Sequence, residues 1–328
     1  MREVIDMNPY VGHNSQINGI EEHRLVGGKG DGMRLLEVNN GRGLEMVILP
    51  DRCADIARLR YRGINLSYFS PCGYVAPAYY ESKGTDWLKS FTAGYLTTCG
   101  LQSVGSPCED EGEILPLHGS IANTPSEHWY WTEDKEEFHV YAVIKDEGIF
   151  ARKLRLHREI RISKTKNRFV IIDTIVNTGD RVEPFEILYH MNMGYPLLDE
   201  DSEVEIPSTN VLPRDEHAAE DIANWMKMLK PEIGYQERCY YHQFDNGYGR
   251  ASIFQPKLNI GIEISFDANE LDGFVEWKMM GVRDYVLGLE CGNCYPDGRD
   301  VMRNNGMLKF LQPGESKTYE VAVQVYEK

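Results

Sequence analysis

The chain lacks any apolar run of about 20 residues, the length needed to cross a bilayer. Its N-terminal stretch, MREVIDMNPYVGHNSQ, also lacks the apolar core of a secretory signal peptide. Basic residues are scarce beside acidic ones, with 35 Lys and Arg against 51 Asp and Glu and a formal net charge of −16. A surface of this sign repels phosphate backbones and anionic lipids. We therefore expect a cytoplasmic protein that binds neither nucleic acid nor a membrane.

Cysteine is also sparse, and its distribution excludes a disulfide framework. The seven cysteines are odd in number and scattered along the chain, which favours reduced thiols. Only Cys291 and Cys294 form a C-x-x-C pair. A structural zinc site would need a second pair, and a redox motif would need a helix start within a βαβ unit. The sequence therefore predicts no metal or redox site at these cysteines.

Nucleotide and serine-hydrolase motifs are missing as well. The glycine cluster VGGKGDGM resembles a phosphate loop only in composition, because a β-rich run, MRLLEV, follows it where such a loop requires a helix. We interpret the cluster as a hairpin turn. No G-x-S-x-G sequence is present, so the chain has no nucleophile elbow.

What the chain does contain is a series of β-rich runs separated by turn signals. One basic run from Arg152 also alternates apolar and polar residues, which predicts a strand with a solvated basic face. Only the segment DEHAAEDIANWMKMLK predicts a helix of any length, with Asp215 as its cap. The clearest strand predictions start at Met33, Leu44, Phe138, Asn167, Asn259 and Thr318.

No repeat, low-complexity tract or polar linker divides the chain. We therefore predict a single domain spanning residues 1–328, with an all-β fold. The many long strands favour a large antiparallel β-sandwich with one or two short helices.

Two ionisable residues lie in runs that otherwise favour buried strands. His190 lies in FEILYHMNMGYPLL, and Glu290 lies in DYVLGLECGNCYPDGR. Burying an unpaired polar group costs roughly several kcal/mol, so such residues need a reason to be there. A His with a carboxylate is a common pair for acid–base catalysis. The alternative is that both are hydrogen-bonded groups of an ordinary core.

A third histidine, His118, lies in the loop-like segment GEILPLHGSIANTP. Together with the runs around His190 and Glu290, this segment resembles the aldose 1-epimerase (galactose mutarotase-like) superfamily, most closely its less characterised sugar-epimerase-like branch. LPLHGSIAN resembles the family's Leu-His-Gly loop, and the two runs resemble the strands that carry its catalytic His and Glu. The order of the three segments also matches.

The resemblance implies a β-supersandwich with a sugar site on its concave face. It also implies an isomerase that needs no cofactor. His190 would protonate the ring oxygen, Glu290 would take the proton of the anomeric hydroxyl, and His118 would orient the sugar by a hydrogen bond. This agrees with the chemistry, because opening a hemiacetal requires one proton to be removed and one to be supplied.

The chain departs from well-known mutarotases at one position. Their Asn-Arg pair before the Leu-His-Gly loop is replaced by LTTCGLQSVGSP, where Gln102 and Ser103 are the nearest polar residues. Hexose recognition therefore does not carry over. Arg52, in LPDRCADIARLRYRG, could instead contact a hydroxyl or carboxylate, or form a structural ion pair with Asp51 or Asp55.

Further substrate-binding candidates follow from position on the predicted strands. Trp277 could stack on a sugar ring or pack in the core, and Lys278 is its polar neighbour on the opposite face. Asn192 shares the face of His190 by strand alternation. Arg299 and Arg303 follow the Glu290 strand and are further candidates.

The sequence leaves three functions open. The first is a carbohydrate epimerase acting at the anomeric carbon of a free or acidic sugar. The second is a lyase or ketose-type isomerase on the same scaffold, with a metal held by His118, His190 and Glu290. The third is a non-catalytic sugar-binding protein. In each case the expected partner is a small sugar, and the sequence leaves homo-oligomerisation open.

Overall fold

A computed structural model describes residues 8–328; the first seven residues of the predicted domain lie outside the described part. The described chain forms 22 strands, which follow in chain order. They are β1 (Gly19–Arg24), β2 (Arg34–Asn39), β3 (Leu44–Leu49), β4 (Asp55–Tyr61), β5 (Ile64–Asn65), β6 (Leu96–Leu101), β7 (Cys108–Asp110), β8 (Glu113–Leu115), β9 (Ser126–Glu133), β10 (Glu137–Glu147), β11 (Lys153–Ser163), β12 (Arg168–Asn177), β13 (Glu183–Met193), β14 (Glu203–Glu205), β15 (Asn210–Pro213), β16 (Arg238–Gln243), β17 (Tyr248–Gln255), β18 (Ile260–Asp267), β19 (Gly273–Met280), β20 (Tyr285–Gly292), β21 (Lys309–Leu311) and β22 (Ser316–Tyr326).

Helices are few and short. The described residues contain two α-helices, α1 (Glu216–Ala219) and α2 (Arg299–Asn304). Single 3₁₀ turns lie at Asn14–Gln16, Gly28–Gly30, Pro77–Tyr79, Asp86–Ser90, Ile121–Asn123 and Ile222–Asn224. No helix within residues 8–328 combines the length and apolar character that membrane crossing requires.

The strands form three large antiparallel sheets and one hairpin. The first sheet has the order β1-β2-β3-β4-β5, and the second has the order β14-β17-β18-β22-β12-β11-β10-β9. The third has the order β15-β16-β19-β20-β13-β21, and β6 also pairs with β13. Strands β7 and β8 form the hairpin. The predicted antiparallel β-sandwich with one or two short helices is confirmed.

Alternation of apolar and polar residues explains which strands have a solvent-exposed face. Along β10 and β11 buried positions alternate with more exposed ones, so one face of each strand meets the core. Strand β13 is buried at every position except Pro184, because both of its faces are covered. One apolar cluster joins residues of all three sheets, including Leu36, Ile171 and Leu289. The glycine cluster forms the connection between β1 and β2, as predicted.

The predicted long helix after Asp215 is wrong. Asp215 does cap a helix, since its carboxylate accepts from the Ala218 N–H at 2.8 Å, but α1 ends at Ala219. The chain continues as a 3₁₀ turn at Ile222–Asn224, and Lys278 Nζ donates to the carbonyls of Asn224 and Trp225. Tertiary hydrogen bonds thus take carbonyls that a continuous helix would use.

Arg158 is the exception to the predicted basic face of β11. It is 2% exposed and points into the core, where its guanidinium pairs with Asp173 of β12 and Asp55 of β4. It also donates to Thr98 Oγ1 of β6 at 2.8 Å. Every nitrogen of this guanidinium therefore has an acceptor, which is the condition for keeping a charge in an apolar core. The network ties the first sheet to the second and to β6.

We predict that Arg158→Met lowers the free energy of unfolding by about 3–5 kcal/mol, because it leaves two buried carboxylates without their cation. Urea denaturation followed by circular dichroism measures this. The control is Arg155→Met, since Arg155 lies on the same strand and pairs with Glu147 where both side chains remain partly exposed. That variant should lose less than about 1 kcal/mol. Equal losses for both variants would contradict the role assigned to Arg158.

Candidate active site

His190 and Glu290 face each other on neighbouring strands of the third sheet. The register of β13 and β20 places them directly opposite, so both side chains project from the same face. His190 Nδ1 lies 3.3 Å from Glu290 Oε1. Neither atom makes a hydrogen bond, and both residues are at least 95% buried. The two proton-transfer groups predicted from the sequence are therefore one contacting pair.

The pair lies at the floor of a cavity of about 620 Å³. This volume falls within the usual range for small-molecule sites, about 300–1,000 Å³. His118 and Trp277 line the same cavity, so the structure brings together four of the nine predicted site residues. On strand β19, Val275 lies opposite Glu290. Trp277 lies two residues further along the same strand and on the same face. The floor is thus a patch of sheet, and the walls come from loops.

Burial controls the charge of the pair. Loss of water raises the pKa of Glu290 well above its ordinary value, and the nearby carboxylate of Glu237 adds to this shift. Loss of water, together with the neighbouring His118, lowers the pKa of His190 well below 6.5. Both shifts favour the uncharged forms. Burial therefore favours a protonated Glu290 carboxyl group beside a neutral His190 imidazole.

The loop that follows β8 delivers His118 to the cavity. Its backbone has a φ of +55° and is held on both sides, because the His118 N–H donates to Gly105 O and its carbonyl accepts from the Gly100 N–H. The Gly105 N–H also donates to His118 Nδ1 at 3.2 Å. Nδ1 therefore acts as an acceptor, and the proton of the neutral ring lies on Nε2. Burial lowers the pKa of His118 to about 4, so the ring is a neutral hydrogen-bond donor.

Aromatic rings surround His190. Phe91 lies 5.4 Å from its ring centroid, Trp277 lies 5.2 Å away, and His118 lies 5.7 Å away. Trp87 stacks on Phe91 at 4.6 Å and extends this wall towards His118. Flat apolar faces beside hydrogen-bonding groups are a usual arrangement for holding a ring that carries hydroxyls. The sequence prediction included Trp277 but missed Trp87 and Phe91.

A polar corner of the cavity was also missed. Arg214 Nη2 donates to Glu237 Oε1 at 3.1 Å, and Trp277 Nε1 donates to Glu237 Oε2 at 2.7 Å. Arg214 also contacts Cys239 Sγ and Asp215. Asp284 lies at the rim, where Tyr68 Oη donates to it at 3.4 Å. These residues lie in polar segments without periodicity, and only the excess of charged residues around Arg214 and Glu237 could have pointed to them.

The structure corrects the prediction for Arg52, which does not line this cavity. Its guanidinium is 3% exposed and donates to the carbonyls of Val75, Ser90 and Ala122. The alternative ion pairs are also absent from the described residues, because Asp51 pairs with Arg34 and Asp55 pairs with Arg158. Burial lowers the pKa of Arg52 to about 10. Its role is structural: it holds the loop that carries Trp87 and Phe91.

Asn192 and Lys278 also lie outside the cavity lining. Asn192 shares the face of His190, as expected, but its amide donates to the His190 carbonyl at 3.0 Å and is fully buried. Lys278 lies on the opposite face of β19 from Trp277 and is held by the carbonyls of residues 224 and 225. The predicted strand face is right for both residues. Neither side chain lines the cavity, so the prediction that they bind substrate is corrected.

Arg299 and Arg303 are likewise structural. Both lie on α2 and pair with Asp110, at 2.6 Å in each case. Arg299 is 3% exposed, and its Nη1 also donates to the Gln102 carbonyl. These contacts fasten the β7–β8 hairpin to α2 beside the His118 loop. Gln102 and Ser103 are buried as well and do not line the cavity.

No group of three or more His, Cys, Asp or Glu side chains in residues 8–328 is arranged to hold a metal ion. The cysteines in this part of the chain, including Cys291 and Cys294, are all unpaired.

Solved structures share this fold. A protein from Klebsiella pneumoniae described as a candidate aldose 1-epimerase is 25% identical and superposes with a TM-score of 0.89, covering 96% of this chain and 86% of its own. The galactose 1-epimerase from Lactobacillus acidophilus is 16% identical, with a TM-score of 0.62 and coverage of 94% and 99%. A galactose mutarotase-like protein from Clostridium acetobutylicum is 14% identical, with a TM-score of 0.66 and coverage of 95% and 100%. The predicted resemblance to the mutarotase-like fold is confirmed.

Curated protein sequences provide no match to this chain. A family model covers residues 30–325, which is nearly the whole chain. The chain therefore belongs to the family described as "Domain of unknown function (DUF4432)".

Proposed function

We propose that the protein is an aldose 1-epimerase-like isomerase that interconverts the anomers of a sugar. The observation that carries this proposal is the contact between His190 Nδ1 and Glu290 Oε1, 3.3 Å apart in a cavity of small-molecule size. The mutarotase-like fold supports it, and the aromatic walls suit a sugar ring.

The closeness of the pair suits hemiacetal chemistry. The ring oxygen and the anomeric hydroxyl are bonded to the same carbon, so an acid and a base that act on both must lie side by side. Glu290 takes the hydroxyl proton while His190 gives a proton to the ring oxygen, and the bond between the anomeric carbon and the ring oxygen breaks. The open-chain aldehyde rotates, and the reverse transfers close the ring on its other face. Each positioned group could contribute about 10²- to 10⁴-fold.

The buried electrostatics match one stage of this cycle. After ring opening, Glu290 holds the proton taken from the substrate and His190 is neutral. This is the uncharged pair that burial favours. Ring opening starts from the charged pair, which differs only by one proton passing between atoms 3.3 Å apart. The same cavity that holds the open-chain aldehyde therefore favours the protonation state from which the ring closes.

His118 and the polar corner would orient the sugar. His118 offers an Nε2–H donor, because its Nδ1 is already occupied by the Gly105 N–H. Glu237, held by Arg214 and Trp277, offers a carboxylate acceptor at the other side. A donor and an acceptor placed this way can bind hydroxyl groups of one ring. The proposed acid–base reaction requires neither a metal nor a cofactor.

The test is an NMR exchange screen in which anomer interconversion is measured for neutral sugars, deoxysugars, ketoses and uronic acids, with and without EDTA. We expect at least one sugar to exchange faster with the protein, and Glu290→Gln to reduce this acceleration at least about 10²-fold because the amide cannot accept the proton. The control is Glu276→Gln, since Glu276 is an equally buried carboxyl on the opposite face of the neighbouring strand. It should retain the acceleration.

Three results would contradict the proposal. Near-normal exchange in folded Glu290→Gln would exclude Glu290 as the base. Loss of exchange in EDTA would favour the metal-dependent lyase or isomerase. Sugar binding without acceleration for any sugar would favour a binding protein.

We predict different kinetic effects for the two histidines. His190→Asn should lower kcat about as much as Glu290→Gln, because it removes the acid. His118→Asn should mainly raise KM, by about tenfold, because it removes a hydrogen bond to the bound sugar. Steady-state measurement of both constants decides this. A collapsed kcat with unchanged KM in His118→Asn would show that the two roles are reversed.

We also predict a broad pH optimum. Below the lowered pKa of His190 both groups are protonated and the base is lost; above the raised pKa of Glu290 both are deprotonated and the acid is lost. The active one-proton pair therefore persists over the pH range between the lowered pKa of His190 and the raised pKa of Glu290. The pH dependence of kcat/KM, corrected for the uncatalysed rate, measures this. A steep transition at 6.5, the ordinary pKa of histidine, would contradict it.

A further inference from the structure

Gly288 lies two residues before Glu290 on β20 and therefore on the same face. A Cβ atom at this position would come closer than 3.0 Å to Glu290 Oε1, a separation that real Cβ atoms do not show. It would also lie 3.0 Å from the Cβ of Trp277. The glycine does not adopt a positive φ, so the backbone alone would accept another residue. What glycine provides here is space.

The Glu290 carboxyl group occupies that space. Cross-strand pairing places Asn192 and Trp277 on either side of Gly288, so the missing side chain leaves a niche between them. Glu290 folds back along its own strand into this niche, where Oε1 is buried and lies 3.3 Å from His190 Nδ1. A methyl group at position 288 would compete for the same volume and drive the carboxyl towards the open cavity.

We propose that Gly288 is a positioning residue that creates the niche holding the Glu290 carboxyl against His190. Its catalytic meaning rests on the proposed function, whereas the niche itself is a property of the fold. Glycine otherwise weakens a buried strand, because it has no side chain to pack. Its presence beside Glu290 is explained if the carboxyl group takes the place of that side chain.

Gly292→Ala provides a matched control. Gly292 lies on the same strand and face, on the other side of Glu290, and an added Cβ there would be 2.8 Å from the Ile187 carbonyl. It would therefore strain the strand without meeting the carboxyl group of Glu290. Comparing the two alanine variants separates strain in the sheet from displacement of that carboxyl.

The kinetic arm uses a double-mutant cycle. Gly288→Ala should lower kcat for anomer exchange about 10²-fold with KM changed less than about threefold, since small misplacement of a catalytic group has effects of this order. In a Glu290→Asp background the shorter side chain leaves the niche, so adding Gly288→Ala should lower kcat less than about threefold further. Gly292→Ala reports the effect of strain in the sheet alone, so Gly288→Ala should lower kcat per folded molecule at least about tenfold more than Gly292→Ala does. Equal losses from Gly288→Ala in both backgrounds, or a rise in KM alone, would overturn the proposal.

The second arm does not depend on activity. Carboxyl ¹³C NMR of protein labelled at glutamate Cδ follows the titration of Glu290, with Glu290→Gln assigning the signal. In Gly288→Ala the pKa of Glu290 should fall towards its ordinary value of 4.5, because the displaced carboxyl meets water, whereas Gly292→Ala should leave it raised. An unchanged pKa in Gly288→Ala would overturn the niche. If no sugar exchanges with the wild-type protein, the proposed function fails while this arm still decides the role of Gly288.

Folding itself supplies the last criterion, measured by circular dichroism and thermal denaturation. If Gly288→Ala fails to fold alone but folds with Glu290→Asp, the clash is with the Glu290 carboxyl and the proposal stands. If neither form folds, the space belongs to the strand rather than to that carboxyl, and the proposal falls.

Discussion

The pairing register between β13 and β20 is the constraint on which the site depends. A shift by one residue would send either His190 or Glu290 to the opposite face of the sheet. The side chain of Asn293 fixes this register, because its Oδ1 accepts from the Ile187 N–H at 2.8 Å while its own N–H donates to the Ile187 carbonyl. On the other side β13 is paired with β6, whose Thr98 is bound to Asp55 and Arg158. The buried ion network and the Asn293 contact therefore hold the strands that carry His190 and Glu290.

Buried ionisable groups occur in two different settings in this protein, the Arg158 ion network and the His190–Glu290 pair. Every nitrogen of the Arg158 guanidinium has an acceptor, so this buried charge is compatible with a stable core. At His190 and Glu290 the facing atoms have no hydrogen-bond partner, which is costly for stability but leaves both groups free to exchange protons. Missing partners alone do not identify a site, since the oxygens of buried Glu276 also lack them. What distinguishes the pair is the cavity above it.

The sequence predicted the fold class and the centre of the candidate site, for physical reasons that also explain where it failed. Period-two alternation identified the long strands, and two ionisable residues in apolar strands identified the pair. Arg52, Lys278, Arg299 and Arg303 were misplaced because a long side chain reaches partners far away in sequence, here carbonyls and Asp110, that no local pattern reveals. Arg214, Glu237, Trp87 and Phe91 were missed because loops carry no periodicity. The prediction of a long helix after Asp215 failed because Lys278 binds the carbonyls of Asn224 and Trp225, which that helix would have used.

Arg52 has a consequence for how this protein can change over evolution. The loop between β5 and β6 supplies Trp87 and Phe91 to the cavity wall, and one buried guanidinium fastens it through main-chain carbonyls at Val75 and Ser90. Contacts to carbonyls are independent of side-chain identity, so the loop can accept new residues without losing its attachment. His190 and Glu290, in contrast, lie on paired strands, and their contact requires one register of those strands. In the proposed isomerase, selectivity and chemistry would therefore be encoded in separate parts of the chain, and one could diversify while the other is preserved.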